Sequence, residues 1–195
     1  MIEALPDGGT IRKLWIGESA LLRDHLLRLD GDSRARRFGG GVSDARVIQY
    51  ADTALTPGAI VYGFLIDGTL RGVAEMRRAG LPLATLVTPV AEVALSIETP
   101  WQSHGVGSAL LERTLLAARN RGIKTLHMQC LADNRRMQQL AAKFNADLTF
   151  ETGSVIGEVD PRRPNPLSLL REWVEDSQSL TRAMLDVQTR MLRAG

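Results

Sequence analysis

Two features of this chain are chemically suggestive. The run Gln102-Ser103-His104-Gly105-Val106-Gly107-Ser108 separates a β-type segment from a strongly helical one. Glycines at a turn that opens a helix let the backbone approach an anion closely, and the first N–H groups and the positive end of the helix dipole then point at it. Strand, glycine turn and helix together make a cradle for a pyrophosphate, although a plain tight turn carries the same Gly-x-Gly spacing. The P-loop form is excluded because Gly107-Ser108-Ala109 stands where it needs Gly-Lys-Ser/Thr, and the dinucleotide-binding form because Leu110 replaces the third glycine. The second feature is Glu92. From Val90 to Ile97 the apolar residues Ala91, Val93, Leu95 and Ile97 alternate with Glu92, Ala94 and Ser96, so a strand carries one carboxylate on its less apolar side.

The elements that must position these residues can be read outward from them. Leu110, Leu111, Thr114, Leu115 and Ala118 make the buried stripe of a helix from Gly105 to Arg121, which Gly122 stops. A strand at Lys124 to Leu131 follows, then a helix from Arg135 to Phe144 opened by Asp133-Asn134, and a strand pair around Asp147 to Phe150 and Val155 to Val159. Upstream, Ile60 to Ile66 and Leu70 to Arg77 flank the turn signal Asp67-Gly68 and predict an antiparallel hairpin. A strand at Thr10 to Ile16, a helix at Glu18 to Leu29 and a second helix from Ser43 to Leu55 precede it. Between those helices, Gly31-Asp32-Ser33, the basic Arg34, Arg36 and Arg37, Phe38 and Gly39-Gly40-Gly41 predict a mobile, positively charged loop. The expected order is βααβββαβαββ, an α/β (α+β) body over residues 1–160. After the proline-rich break Asp160 to Pro166, residues 161–195 form a linker and an amphipathic helical tail. Asn165-Pro166 predicts an N-cap and first-turn proline. Leu170, Trp173, Val174, Leu180, Met184, Val187 and Met191 then mark an apolar stripe to about Leu192, with a break near Ser177. Such a stripe must be buried, on its own body or in a homodimer.

Composition narrows the function. Of 195 residues 44% are hydrophobic, and 24 Lys+Arg against 22 Asp+Glu leave a net charge of +2, without the basic clustering of a dedicated nucleic-acid binder. The single cysteine, Cys130, has no disulfide partner and forms no zinc-ligand spacing with His25, His104 and His127, so no metal is expected and a reducing compartment fits. Cys130 shares the apolar alternation of Leu126 and Met128 and reads as an inert core thiol. Trp15, Tyr62 and Phe64 read as core, and Trp101 as an anchor for the loop before the cradle. No window spans a membrane, and Met1 to Asp7 lacks the order of a secretory signal, which makes a cytoplasmic location the expectation.

The run Ala91-Glu92-Val93-Ala94-Leu95-Ser96-Ile97, followed by Trp101-Gln102-Ser103-His104-Gly105-Val106-Gly107-Ser108-Ala109-Leu110-Leu111, resembles the acyl-CoA-binding motif of the GNAT superfamily of N-acetyltransferases, whose pattern is Gln/Arg-x-x-Gly-x-Gly/Ala. The likeness continues into Asp133-Asn134-Arg135-Arg136-Met137 and covers roughly residues 10 to 160. Arg34 to Gly40 also resembles the corresponding loop of GNAT domains related to bacterial protein-lysine acetyltransferases.

The resemblance implies a GNAT fold: a mixed central sheet, flanked by helices, whose two parallel strands splay apart. It implies transfer of an acetyl group from acetyl-CoA to a primary amine, of a protein lysine or a small molecule, by direct attack in a ternary complex. Pantetheine would pair along Val93, Leu95 and Ile97. Gln102, Ser103, His104, Gly105, Val106, Gly107 and Ser108 would hold the pyrophosphate, Asn134 would help to orient pantetheine, and Met137 would also contact the cofactor. Glu92 would be the general base; were it structural, Glu98 or a water chain is the next candidate. His104, where related motifs often carry arginine, would be a pH-dependent phosphate contact or a solvated turn residue. Ala141 stands where many members have a tyrosine that protonates the leaving thiolate, and Asn145-Ala146 replaces the usual Gly-Phe. The alternative from another class is a catalytically weak acetyl-CoA-binding module that senses or scaffolds through its tail.

Overall fold

The computed structural model describes residues 5–78, 89–161 and 164–194. Met1 to Ala4 and, in the proline-rich break, Arg162 and Arg163 lie outside the described residues. In chain order the elements are β1 (Thr10–Lys13), α1 (Ser19–Arg28), α2 (Gly31–Phe38), α3 (Asp44–Ala54), β2 (Ile60–Ile66), β3 (Thr69–Arg78) and β4 (Val90–Ile97). There follow α4 (Val106–Asn120), β5 (Thr125–Leu131), α5 (Arg135–Lys143), β6 (Asp147–Glu151), β7 (Ser154–Val159) and α6 (Pro166–Ala194). One seven-stranded sheet runs β1-β2-β3-β4-β5-β7-β6, antiparallel throughout except for the β4–β5 pair.

Both faces of the sheet are covered on the β2–β3 side, which explains why β2 reads as an unbroken apolar run. Ile60, Tyr62 and Phe64 face one core with Leu110 and Leu111 of α4, whereas Val61 and Leu65 face a second with Leu22 and Leu26 of α1 and Val47 and Ala51 of α3. The Asp67-Gly68 turn has both residues at positive φ, 49° and 72°, as a two-residue hairpin of this hand requires. Among the described residues no helix is long and apolar enough to cross a membrane.

Residues 31–38 form α2, not the mobile loop expected of them. Asp30 caps it by accepting from Ser33 N at 2.8 Å, and Gly39, at φ 74°, ends it in the left-handed conformation. No apolar residue of α2 is fully buried, so the sequence carries no apolar period there.

α6 overturns the expected break and one of the two placements expected for its apolar stripe. It runs unbroken through Ser177, and it docks by its polar side. Ser168, Glu172, Ser179 and Ala183 are buried, while Leu170, Val174, Leu180, Met184 and Trp173, the last 68% exposed, face away from the body. Val187 and Met191 of the stripe lie outside the residues whose side chains are described. The inward side is held by ion pairs of Glu172 with Arg121, Glu175 with Arg113, and Asp176 with Lys13 at 2.9 Å. The N-cap holds: Asn165 Oδ1 accepts from Ser168 N at 2.7 Å.

Candidate functional site

Glycine chemistry shapes the turn before α4. Ser103 and Gly105 both have positive φ, 64° and 80°, which turns the chain sharply into the helix at Val106. Among the described residues no side chain caps α4, so its first N–H groups stay open to a ligand. A β-carbon at Gly107 would lie 3.3 Å from Ile97 Cδ1 and 3.5 Å from Leu140 Cδ2, the close approach that lets β4, α4 and α5 converge. The turn is also tied down. Gln102 Nε2 donates to the Ile97 carbonyl at 2.8 Å and to Ser33 Oγ at 3.3 Å, and its Oε1 accepts from Arg136.

Beside this turn the sheet forks. β4 and β5 are in register only at Val90↔Thr125, Ala91↔Leu126 and Glu92↔His127. Each strand then follows its other neighbour: β4 stays on β3 as far as Ile97↔Gly72, and β5 stays on β7 as far as Leu131↔Ser154. Beyond Glu92 the β5-facing edge of β4 therefore has no strand partner among the described residues. Into this fork opens a cavity of about 520 Å³, lined by Leu95 to Ile97, by Gln102, Ser103, Gly105 and Gly107, and by the α5 face bearing Asn134, Met137 and Lys143.

The cofactor-binding residues expected from sequence divide into three groups. Leu95, Ile97, Gln102, Ser103, Gly105, Gly107, Ser108, Asn134 and Met137 all line this cavity. Val93 lines a neighbouring cavity and is otherwise buried in the core, as is Val106, whose side chain points away from the cradle. His104 is not brought to the cavity: it is exposed, and its Nδ1 sits 2.7 Å from the Gln102 carbonyl, a contact within its own turn. Asn134 has a structural duty too, capping α5 by accepting from Met137 N at 3.2 Å.

Sequence reasoning missed the cations around the cavity. Arg136 and Lys143 stand two turns apart on α5, a spacing that puts them on one face, and Lys143 Nζ donates to Ser108 Oγ at 3.1 Å at the mouth of the cradle. Arg36 and Arg37 of α2 reach the same cavity, which a loop reading of that segment could not show.

A second cavity, about 640 Å³, lies on the α2–α3 side of the fork and includes Glu92. The two cavities share Arg36, Arg37, Ala94, Gln129 and Cys130, so they meet where β4 and β5 part. Glu92 is exposed and makes no hydrogen bond or ion pair among the described residues. Its neighbour Glu75 is the opposite case, a buried carboxylate that Arg37, Tyr50 and Arg77 surround. Burial alone would raise the pKa of Glu75; the charge and hydrogen bond of Arg37 outweigh it and hold the carboxylate ionised. Burial and the charge of Asp133 push the Cys130 thiol up, which fits the inert thiol read from its strand.

Glu98, the reserve candidate for the base, is consumed by structure. His25 Nδ1 lies 3.3 Å from its Oε1, Arg28 Nε donates to the same oxygen at 3.0 Å, and Arg71 donates to Oε2 at 2.9 Å. The other nitrogen of His25 sits 3.0 Å from Ser96 Oγ, so this network ties α1 to β4 and to the strand end that leads into the cradle. Arg71 also lies over the Trp101 ring at 4.7 Å, which anchors the loop as the sequence predicts. Burial raises the Glu98 pKa, but the hydrogen bonds from His25 and Arg71 and the charge of Arg28 lower it by more. A carboxylate depressed on folding contributes stability above its unfolded pKa and loses it as pH falls through the folded one. Glu98→Gln is therefore expected to cost about 2 kcal/mol at neutral pH, less than a fully buried pair because Arg28 and Arg71 can recover water. Urea titrations at pH 7 and at pH 3 check this: the difference between wild type and variant should shrink at the acid value.

The sequence profile described as the acetyltransferase (GNAT) family matches residues 31–146, more than half of the chain. The chain belongs to the GNAT acetyltransferase family. Solved structures agree in fold. The GNAT domain of PAT from S. lividans is 25% identical, with a TM-score of 0.65 over 80% of this chain and 94% of that one. A cAMP-binding acyltransferase from Mycobacterium smegmatis is 20% identical, with a TM-score of 0.57 over 90% of this chain and 52% of that one. The protein yncA from Salmonella typhimurium, solved with its cofactor acetyl-CoA, is 14% identical, with a TM-score of 0.61 over 80% of this chain and 96% of that one.

Proposed function

We propose that the chain transfers an acetyl group from acetyl-CoA to a primary amine, by direct attack while both substrates are bound. The observation that carries this reading is the fork between β4 and β5, which opens beside a helix N-terminus without a side-chain cap on one side and a carboxylate without a partner on the other, both among the described residues. The N–H groups at the start of α4, with Lys143 and Arg136 nearby, suit a pyrophosphate. The unpartnered edge of β4 from Val93 to Ile97 offers backbone groups to pantetheine amides and an N–H to the developing oxyanion. The amine enters from the second cavity, where Glu92 removes its proton. A lysine side chain and a small amine both fit this chemistry. The test is release of free thiol from acetyl-CoA against a panel of alkylamines and lysine peptides. Saturable, amine-dependent release supports the reading; release that no amine increases refutes it.

One observation favours the second reading, an acetyl-CoA-binding module with little turnover. Ala141 is buried against the core where the family's tyrosine would stand, so no phenol is supplied from that position to the leaving thiolate. In this reading the same panel gives no amine-dependent release, while acetyl-CoA still raises the melting temperature.

The outward stripe of α6 supports a homodimer, one of the two placements that the sequence leaves open for it. Leu170, Trp173, Ser177, Leu180 and Met184, continued in sequence by Val187 and Met191, recur at alternating steps of three and four, the spacing of a helix that packs on another helix. A second copy offers the matching seam. Trp173→Asp with Leu180→Asp should halve the mass in sedimentation equilibrium, since neither side chain holds α6 to its own body; an unchanged mass would remove the dimer.

A further inference from the structure

Arg77 and Glu92 stand directly opposite each other in the β3–β4 register. Their side chains therefore leave the same face of the sheet with β-carbons about 5 Å apart, a placement in which opposite charges stabilise each other. They do not pair. Arg77 Nη2 instead donates to the Ala54 carbonyl at 3.2 Å and to the Tyr50 hydroxyl at 3.3 Å, lies 3.5 Å from Glu75 Oε2, and its guanidinium sits 5.3 Å from the centre of the Tyr50 ring.

What draws it there is a cluster built on Glu75, two residues earlier on β3 and so on the same face. One oxygen of this buried carboxylate takes Arg37, and the other accepts from the Tyr50 hydroxyl at 2.7 Å. That hydroxyl in turn accepts from Arg37 Nη2 at 2.6 Å. Arg37 alone balances the charge of Glu75, so the fold has no need of a second cation to bury the carboxylate. The second cation, Arg77, is half-exposed at the wall of the cavity that holds Glu92.

We infer that Glu75 and Tyr50 are positioning residues that hold Arg77 off Glu92 and so leave that carboxylate free for the acceptor's ammonium. The inference rests on the reading of Glu92 as the base. Were Arg77 to close on Glu92, it would occupy the oxygens that must take the amine's proton. It would also cancel the negative charge that attracts a cationic acceptor.

Glu75→Gln keeps the shape of the side chain and removes the charge that draws Arg77. It also strips buried Arg37 of its counter-ion, a change that can cost folding. Tyr50→Phe is the second variant: it deletes the shared hydroxyl and keeps the ring, which meets Phe38 edge-on at 5.4 Å. A crystal structure of whichever variant folds should show the Arg77 guanidinium within about 4 Å of the Glu92 carboxylate, the range of an ion pair. With a cationic acceptor its KM should rise and its kcat fall, each by roughly threefold, the size of effect expected of an exposed ion pair. Adding Arg77→Gln should restore both constants, whereas a cluster that only ties α2 and α3 to β3 would leave the double variant slower than the single one. Arg77 still lying against the aromatic ring at position 50 and the Ala54 carbonyl in the folded variant, or a double variant no faster than the single, overturns the inference. Failure of the underlying reading looks different: Glu92→Gln keeps the wild-type rate while Arg77 still swings toward Glu92 in the Tyr50 or Glu75 variant.

Discussion

Glu92→Gln should lower kcat by roughly a hundredfold or more, the usual effect of losing a general base, and leave acetyl-CoA affinity nearly unchanged. An alkylamine with a pKa of about 10 is almost wholly protonated at neutral pH and cannot attack a thioester until that proton leaves. Glu92 is placed to take it: it stands at the last register pair before the fork and is unpaired among the described residues. Because the carboxylate has no partner to lose, the amide should cost no measurable stability, which separates a chemical effect from a folding one. Raising the pH should partly rescue the variant, since free amine then forms without help. Wild-type kcat and an unchanged pH profile in Glu92→Gln, on an acceptor that the native enzyme turns over, would falsify the role.

The second large effect is expected at the cradle. Gly105→Val puts a β-branched residue at φ 80°, and Gly107→Val pushes a side chain into the 3.3 Å gap to Ile97 Cδ1. Each should displace the first turn of α4 from the edge of β4 and abolish the rise in melting temperature that acetyl-CoA gives the native protein. The control is circular dichroism of the unliganded variants, which must retain native helix content for the result to bear on binding. A folded variant with the full wild-type thermal shift would mean that the nucleotide end binds elsewhere.

Much of this architecture is legible in the residues. β2, β3 and the turn at Asp67-Gly68 announce themselves by apolar runs around a turn dipeptide, and α4 by its buried stripe and glycine stop. Asn145, at φ 57°, takes the left-handed position that the missing glycine would have taken, as an asparagine can. The failures share a physical cause. α2 has no fully buried apolar residue, so periodicity is blind to it, and only the Asp30 cap and the Gly39 stop betray a helix. α6 has its apolar period legible but not which side meets the body, because the polar partners that hold its other side, Lys13 of β1, Arg113 and Asn120 of α4 and Arg121 just after it, are distant in sequence.

The candidate site shows the same division. The cradle and Glu92 are local patterns and can be found in one stretch of chain. The Glu75, Arg37 and Tyr50 cluster is assembled from β3, α2 and α3, and the Glu98 network from α1, β3 and the end of β4, so neither has a local signature. This is also why the acceptor cannot be named from the motif. The second cavity takes much of its wall from α2, α3, β3, β5 and β7, which lie outside the β4–α4 motif that defines the family.

The most direct measurement is a crystal structure with acetyl-CoA bound. The pyrophosphate should lie on the N–H groups at the start of α4, pantetheine along the free edge of β4 between Val93 and Ile97, and the acetyl group in the fork where the two cavities meet, facing Glu92. Acetyl-CoA seated elsewhere, or lying in the first cavity with its acetyl group turned away from the fork, would contradict that placement.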